Sequence, residues 1–288
     1  MTRTMTMTTA LVVALSAACA SDQGSVRIEL TDAPADDVVA AVVTIDEIHL
    51  QGGAAGRVVL RDEPVVIDLL SLSNDIATLV VDHPVPDGSY SQLRFVISGA
   101  YLEVANPDGT TSIFATPGYG EAPRIDAMLV TPSWSSSGFK VQMPDDRLVV
   151  SGDQQILLVD FDVAASFTHM TGNGDWVATP IVRALAIELS STLHVDVSVP
   201  GGSDEPLVAR LMDASGLSEG TVPLDDPDAD TVYSADFVYL DPREGPFTLS
   251  IETADGDDVV TSPSNPMTVS LGSGTIADVD LVADPASF

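Results

Sequence analysis

The chain contains little cysteine, little lysine and few aromatic residues. Among its 288 residues there is one cysteine, Cys19, and one lysine, Lys140, and aromatic residues make up 5%. A single cysteine cannot form a disulfide within its own chain, and it excludes both cysteine-rich metal sites and a Cys-His nucleophile. Stability must therefore come from buried apolar area, which the hydrophobic content of 45% allows.

Basic side chains are also scarce. The chain has 11 Lys and Arg against 43 Asp and Glu, a formal net charge of -32. Nucleic acid is excluded as a partner because affinity for phosphate backbones depends on Lys and Arg, and anionic lipid headgroups would repel this surface. Self-repulsion of this size destabilises a compact state unless salt screens it. We predict that folding stability rises with added NaCl; an acidic exported surface without salt dependence is the alternative.

The sequence has no apolar run of transmembrane length. The run Ala10–Ala18 is too short to cross a bilayer. It follows Arg3 and precedes Cys19, the arrangement of an export signal, which we assign to residues 1–20. Cys19 is the predicted lipidation site, so we expect a lipoprotein whose N-terminal lipid anchor tethers it to a membrane of the cell envelope. Ser16 stands where a lipobox prefers leucine, and cleavage to a secreted or periplasmic protein is the alternative.

Alternation of apolar and polar residues dominates the rest of the chain. The run Ser25–Thr31 places its apolar residues on one face. Turn sequences such as Asn106–Gly109 separate the later runs, and a fresh alternating run follows Ser190. The pattern predicts an all-β protein in which two antiparallel β-sandwich domains, over residues 24–189 and 190–288, follow the export signal in tandem.

The lone lysine indicates a structural ion pair in the first domain. Asp160 and Asp162 belong to a predicted strand, and at least one of them must lie beside buried aliphatic neighbours. A buried carboxylate requires a cation or several hydrogen bonds. We therefore predict an internal ion pair formed by Arg94, Lys140, Asp160 and Asp162. A cation site built from Asp32, Asp160 and Asp162 is the alternative.

Several short strings occur together in the first domain. In chain order they are Thr31-Asp32-Ala33-Pro34, Asp68-Leu69-Leu70-Ser71-Leu72, Gly88-x-Tyr90-x-x-x-Arg94, Pro132-Ser133 with Ser137-Gly138-x-Lys140, Asp160-Phe161-Asp162 and Pro180-Ile181. Over about residues 24–189 this pattern resembles domain-of-unknown-function family 4382 (DUF4382), found in bacterial and archaeal envelope lipoproteins. The resemblance implies an exported β-sandwich, commonly anchored by a lipobox cysteine, with no established activity. The tail beyond Ser190 looks like carboxypeptidase-regulatory or transthyretin-like sandwiches.

Two other motifs have the appearance of functional sites. Asp226, Asp228 and Asp230 occupy alternate positions, as calcium ligands do. Thr231 replaces the glycine that an EF-hand needs, so an EF-hand is excluded. A looser calcium site is one interpretation of these three residues, and a solvated acidic loop is the alternative. Ser218 lies in a Gly-x-Ser-x-Gly string, but a nucleophile elbow requires a following helix, and the next residues are not helical. We interpret this string as a chance match and predict that the protein is not an enzyme.

The function predicted from the sequence is a non-catalytic binding or structural module of the cell envelope. Its expected partners are the membrane, through the lipid anchor, and an unknown envelope protein or glycan ligand. Trp134 and Trp176 could form a sugar-stacking platform, with core or loop packing as the alternative. The competing functions are a calcium-dependent adhesin, a glycan-binding protein and, from another class, a secreted hydrolase that uses Ser218 or an acidic pair.

Overall fold

The structure is a computed structural model that describes residues 23–32, 38–143, 147–167, 169–170, 172, 174–226, 230–284 and 286. Cys19 and the predicted export signal lie outside these residues. The described part consists of strands with a few short helical turns, which confirms the all-β class. Among the helices described, none has the length and apolar character needed to cross a membrane.

One layer of the first sandwich is a four-stranded sheet. Numbered in chain order along the whole protein, its strands are β1 (Gln23–Thr31), β5 (Ala77–Pro86), β11 (Gln154–Phe161) and β14 (Val182–Ala186). They lie side by side in the order β14-β11-β1-β5. The strand β1 alternates buried and partly buried residues over most of its length, as its sequence predicts.

The facing layer is a ten-stranded sheet. Its strands are β2 (Val38–Gly52), β3 (Gly56–Arg61), β4 (Val65–Asp68), β6 (Gly88–Ala105), β7 (Thr111–Ala115), β8 (Ala127–Val130), β9 (Phe139–Val141), β10 (Leu148–Val150), β12 (His169–Met170) and β13 (Trp176–Val177). The long pair β2–β6 forms its centre. The predicted turn at Asn106–Gly109 is confirmed, and it forms a hairpin, because β6 pairs with β7 in antiparallel register across it.

The core of the first sandwich lies between these two sheets. The rings of Phe139 on β9 and Phe161 on β11 meet across the core with centroids 5.7 Å apart. Trp134 packs edge-on against both rings and is 2% exposed. Trp134 is therefore a core residue, and it cannot serve as an exposed sugar platform. Trp176 packs against Phe114, with ring centroids 5.1 Å apart.

The second sandwich has two four-stranded sheets. The first contains β15 (Ser191–Ser198), β18 (Val232–Leu240), β20 (Thr261–Ser262) and β22 (Ile276–Ala283), and the second contains β16 (Leu207–Met212), β17 (Ser218–Leu224), β19 (Phe247–Thr253) and β21 (Met267–Val269). Apolar residues from both sheets form a separate core. The predicted boundary between residues 189 and 190 lies in the connection from β14 to β15.

Strand pairing is mostly antiparallel, but four of the pairs between described strands are parallel. These pairs are β1–β11, β7–β8, β8–β13 and β15–β22. Antiparallel pairing is predicted from the sequence, because a parallel pair usually needs a long crossover connection such as a helix. In β1–β11 and β15–β22 the connection instead passes through other strands of the sandwich, so a parallel pair forms without a crossover helix.

Short helical turns complete the fold. Among the described residues they are the 3-10 turns Leu69–Leu72, Ile187–Leu189 and Pro242–Glu244, and one α-helical turn, α1 (Val163–Ser166). The first of these turns brings Asn74 to the second sandwich. The Nδ2 of Asn74 donates to the carbonyl oxygen of Asp236 at 3.1 Å, and its Oδ1 accepts from the N–H of Val238 at 3.3 Å.

Candidate functional site

The two acids predicted to form an ion pair lie at the end of β11 that faces the second sandwich. Asp162 is 5% exposed and caps α1, where its Oδ1 accepts from the N–H of Ala165 at 2.7 Å. Its other carboxylate oxygen lies 3.8 Å from Nη1 of Arg183. Asp160 is opposite Arg183 in the β11–β14 register. The cation beside this acid pair is therefore Arg183 on β14.

The structure does not bring Arg94 and Lys140 to the acid pair. Lys140 lies on β9 between two buried residues, so its exposed side chain points out of the sandwich. Phe139 and Phe161 face each other across the core, and side chains alternate along a strand. Lys140 follows Phe139 on β9, and Asp160 precedes Phe161 on β11. The side chains of Lys140 and Asp160 consequently point away from each other, on opposite outer faces of the sandwich. Asp160 and Asp162 therefore lie at the joint between the two sandwiches, whereas Arg94 and Lys140 lie on the ten-stranded sheet on the other side of the core.

A pocket rich in carboxyl groups lies between the two sandwiches. Asp160 and Arg183 line it from the first sandwich, and Glu219, Asp241 and Glu244 line it from the second. The guanidinium of Arg183 donates to the carboxylate of Glu244, which joins the two sandwiches through a charge-assisted hydrogen bond. Within the second sandwich, Arg243 pairs with Asp241 at 2.5 Å. Arg243 also donates to the carbonyl oxygen of Ala184 on β14 at 3.4 Å.

Burial shifts the proton equilibria of these carboxyl groups. Burial, with Asp213 as the next cause, raises the pKa of Glu219 to about 8. The pKa of Asp160 is raised well above its usual range, first by burial and then by the charge of Glu219. Desolvation and neighbouring negative charge both disfavour the ionised form. Glu219 therefore retains its proton around neutral pH, which lowers the repulsion inside the pocket.

Asp32 lines the same pocket from the end of β1. Its side chain is 4% exposed, and its Oδ1 accepts from the N–H of Val163 at 3.3 Å. Its Oδ2 has no hydrogen-bond partner among the described residues. Burial, followed by the charge of Asp160, raises the pKa of Asp32 well above its usual range. Within the described chain, no group of three or more His, Cys, Asp or Glu side chains could hold a metal ion, the Asp32, Asp160 and Asp162 alternative included.

The predicted calcium loop lies partly outside the described residues. Asp228 is not described, whereas Asp226 and Asp230 lie in the connection from β17 to β18. Both carboxylate oxygens of Asp226 accept backbone hydrogen bonds, from the N–H of Asp230 at 3.1 Å and from that of Thr231 at 3.0 Å. These bonds link the two described ends of the connection through protein groups. Calcium binding by Asp226, Asp228 and Asp230 stays a prediction.

The Gly-x-Ser-x-Gly string does not form a nucleophile elbow. Ser218 begins β17, and the chain continues as a strand to Leu224, whereas an elbow leads from a strand into a helix. The Oγ of Ser218 is buried and has no hydrogen-bond partner among the described residues. No base is thus in place to activate this hydroxyl within the described chain.

Sequence reasoning missed four charged residues of the pocket, which are Arg183, Glu219, Asp241 and Glu244. Arg183 follows the Pro180-Ile181 string on β14, Glu219 lies inside the Gly-x-Ser-x-Gly string, and Glu244 lies in the 3-10 turn before β19. One sequence signal could have indicated that the outer face of β11 is covered by another part of the protein. Side-chain alternation places the apolar residue Leu158 on the same face as Asp160. Leu158 is 2% exposed, and a strand buried on both faces implies that another layer covers it.

Comparison with solved structures gives distant similarities. The chain is 12% identical to the Bacillus anthracis TIE protein, covering 91% of this chain and 34% of that one, with a TM-score of 0.21. It is 12% identical to a C-terminal fragment of the pilus adhesin SpaC from Lactobacillus rhamnosus GG, covering 91% and 98%, with a TM-score of 0.20. For the pilus-presented adhesin Spy0125 the identity is 7%, the coverage 91% and 99%, and the TM-score 0.25. The chain thus spans about a third of the TIE protein, and these TM-scores carry no conclusion about function.

Comparison of the sequence with protein-family models identifies the family of the first domain. No curated protein matches the chain. A family model described as "Domain of unknown function (DUF4382)" matches residues 23–180. This range is more than half of the chain, and it contains Asp32, Asp160 and Asp162 but not Arg183. The resemblance found from the sequence motifs is confirmed, and the chain belongs to the DUF4382 family.

Proposed function

We propose that the protein is an exported, non-catalytic binding or structural module of the cell envelope, tethered by a lipid on Cys19. The observation that carries the non-catalytic part is the role of the buried charges. Arg183 of the first sandwich contacts Asp162 in its own sandwich and Glu244 in the second. The most strongly perturbed acids thus lie where the two sandwiches are joined, and buried ion pairs of this kind are usually structural.

The context of Ser218 supports the same proposal. Acyl transfer by a serine requires a base within hydrogen-bond reach and donors for the oxyanion. Ser218 is on a strand and has neither a hydrogen-bond partner among the described residues nor a following helix. The second domain is a further all-β sandwich with its own core. Its likeness to carboxypeptidase-regulatory or transthyretin-like folds stays a prediction.

Turnover assays test the non-catalytic part. The purified mature chain is incubated with ester, peptide and glycoside substrates beside a Ser218→Ala variant. We expect no turnover above the rate of the variant, because the hydroxyl has no activating base. Hydrolysis by the wild type that disappears in Ser218→Ala would overturn the proposal in favour of the hydrolase.

The anchor is proposed from the position of the only cysteine. Three residues separate Cys19 from the start of β1, so a lipid at this position would hold the first sandwich next to the membrane surface. Metabolic labelling with a fatty-acid analogue tests this, with Cys19→Ser as the negative variant. Ser16→Leu, which restores the preferred lipobox residue, is expected to increase labelling. Equal labelling of the wild type and Cys19→Ser would exclude the anchor and favour a secreted protein.

A further inference from the structure

The outer face of the ten-stranded sheet carries a lateral line of basic residues, which we call the basic row: His49, Arg57, Arg94 and Lys140. His49 on β2 is opposite Arg94 on β6, and Arg94 is opposite Lys140 on β9. Residues directly opposite each other on neighbouring strands extend to the same face. Arg57 on β3 joins this line beside His49, because both line one surface depression.

The position of Arg94 and Lys140 is unfavourable without a ligand. Like charges directly opposite each other in a sheet destabilise the pair. The chain has 43 acidic residues and 11 Lys and Arg, so a carboxylate partner would be easy to supply. Yet Arg94 donates to the side chain of Gln92 and to backbone carbonyls, and no described carboxylate is bonded to Arg94 or Lys140. The acid in the row is Glu47, which is paired with Arg57 and His49.

The guanidinium of Arg94 is held in place. Its Nε donates to Oε1 of Gln92 at 2.7 Å, and its Nη1 donates to the carbonyl oxygen of Ser137 at 2.8 Å. Gly138 has a φ of +66°, and a Cβ there would approach the carbonyl oxygen of Phe95 to 2.6 Å. Glycine therefore allows the Ser137 segment to lie against β6. A guanidinium that is already oriented loses little freedom when it binds an anion.

The depression beside the row offers neutral polar groups as well as cations. It has a volume of about 320 Å³, and His49, Gln51, Arg57, Arg94, Ser136 and Ser137 line it. Burial and then the charge of Arg57 lower the pKa of His49. The imidazole is 3% exposed and contacts Glu47 through Nδ1 and Gln51 through Nε2, so it supports these side chains from beneath the depression. The amide of Gln51 and the hydroxyl groups of Ser136 and Ser137 suit a ligand rich in hydroxyl groups.

We propose that the basic row binds the carboxylate of an acidic sugar, so that this face is the glycan-binding surface of the module. Arg94 and Lys140 would pair with the carboxylate, since charge-assisted hydrogen bonds are the strong ones. The neutral groups of the depression would contact the sugar hydroxyls. A long polyanion such as nucleic acid is disfavoured, because the net charge of -32 repels it outside this patch. The inference rests on the proposed function and adds the ligand class and its site.

Isothermal titration of the purified mature chain with tetragalacturonate, at fixed ionic strength, tests the proposal. We expect Arg94→Gln and Lys140→Gln each to weaken binding about tenfold, because each removes a bond to a charged group. Arg124→Gln is the matched control, since it changes the net charge equally but pairs with Asp126 and contacts the backbone of Thr111 at the far end of the sheet. Arg124→Gln should bind like the wild type.

Two further ligands decide the chemistry. A neutral galactose tetramer should bind at least tenfold more weakly than tetragalacturonate, and inorganic sulfate should also bind more weakly. Equal affinity of all three variants, or sulfate binding as tightly as the oligosaccharide, would overturn the proposal. Lys140 is exposed, so Lys140→Gln is expected to fold, and its melting curve checks this. Failure here leaves the turnover and labelling results unaffected, so it is distinguishable from failure of the proposed function.

Discussion

Single carboxyl groups determine how the interdomain pocket responds to pH. Glu219 has a pKa of about 8, and Asp160 and Asp32 are shifted in the same direction. All three line one pocket, so each proton that leaves adds a negative charge beside the others. The carboxyl groups of the pocket consequently destabilise the folded protein least when some of them keep their protons. Repulsion between them increases as pH rises.

Glu219→Gln should remove part of this pH dependence. The folded-state pKa of about 8 is above the ordinary glutamate pKa of 4.5, so the stability contributed by the proton is fully present below pH 4.5 and is lost as pH rises through 8. We expect the variant to melt like the wild type near pH 4 and at a higher temperature near pH 9. Melting curves across this range provide the measurement.

Glu205→Gln is the control for this comparison, because Glu205 is exposed on the same sandwich. It should not change the shape of the stability profile. If Glu219→Gln and Glu205→Gln gave parallel profiles, Glu219 would not be the buried acid that we describe.

At the residue scale the sequence predicted the acids but not their cation. Asp160 and Asp162 stand beside Phe161, and this pattern alone implied a buried carboxylate. The partner could not be read from the sequence, because it depends on which strand is next to β11. That strand is β14, and its Arg183 is opposite Asp160, while the lone lysine is on the other sheet.

At the scale of elements, the alternation of side chains along β9 and β14 decides which basic residue matters for stability. Arg183 on β14 reaches Asp162 and Glu244, and the side chains of these two acids, taken without their backbone atoms, are 8% and 10% exposed. Lys140 on β9 faces solvent. A buried carboxylate that loses its cation is costly, whereas removing an exposed charge is nearly neutral.

Arg183→Met should therefore destabilise the protein, and Lys140→Met should not. Loss of one partner from a fully buried pair costs about 3–5 kcal/mol. Since the Arg183 side chain is 30% exposed, we expect a smaller loss, on the order of 2 kcal/mol, because solvent partly compensates. Lys140→Met should stay within about 0.5 kcal/mol of the wild type. Scanning calorimetry of both variants measures the difference, and an equal loss in both would contradict the structure.

Element prediction succeeded where polar and apolar residues alternate and failed where they do not. The alternating run Ser25–Thr31 and the one that follows Ser190 form β1 and β15. In contrast, no alternation marks β2, although it is the partner of β6 in the longest pairing of the fold. Its N-terminal part, Val38–Val43, is an unbroken apolar run, and such a run cannot be assigned to a strand by periodicity alone.

At the scale of the whole molecule, repulsion between negative charges is the main destabilising contribution to folding that solution conditions can change. The net charge of -32 is spread over a protein with few cations to offset it. Moving from about 0.1 M to about 1 M salt shortens the Debye length from ~10 Å to ~3 Å, which removes most repulsion between surface charges. The melting temperature should therefore rise over this range of NaCl.

A titration with KCl is the control for the salt effect. Screening depends on ionic strength and not on the identity of the cation, so the two salts should give superimposable curves. A melting temperature that stays constant in both salts would contradict the prediction. A rise in one salt alone would indicate site binding of that cation instead.

The tandem sandwich architecture was predictable from composition and turn spacing, whereas the contact between the sandwiches was not. Turn sequences every few residues and the absence of long helical patterns indicate two all-β units. The joint depends on single side chains far apart in sequence, such as Asn74 with Val238 and Arg183 with Glu244. No periodic pattern marks such contacts, because each uses one residue of a turn or a strand end.

The parallel pairing of β15 with β22 determines where the chain leaves the second sandwich. Both strands start beside the connection to the first sandwich, where the N–H of Gly274 donates to the carbonyl oxygen of Leu189 at 3.1 Å. The strand β22 has eight residues, and at roughly 3.3 Å per residue its far end lies about 23 Å away at the opposite pole. A fluorescent protein fused after residue 284 would therefore project from that distal pole, which makes this position suitable for reporter fusions that leave the joint between the sandwiches undisturbed.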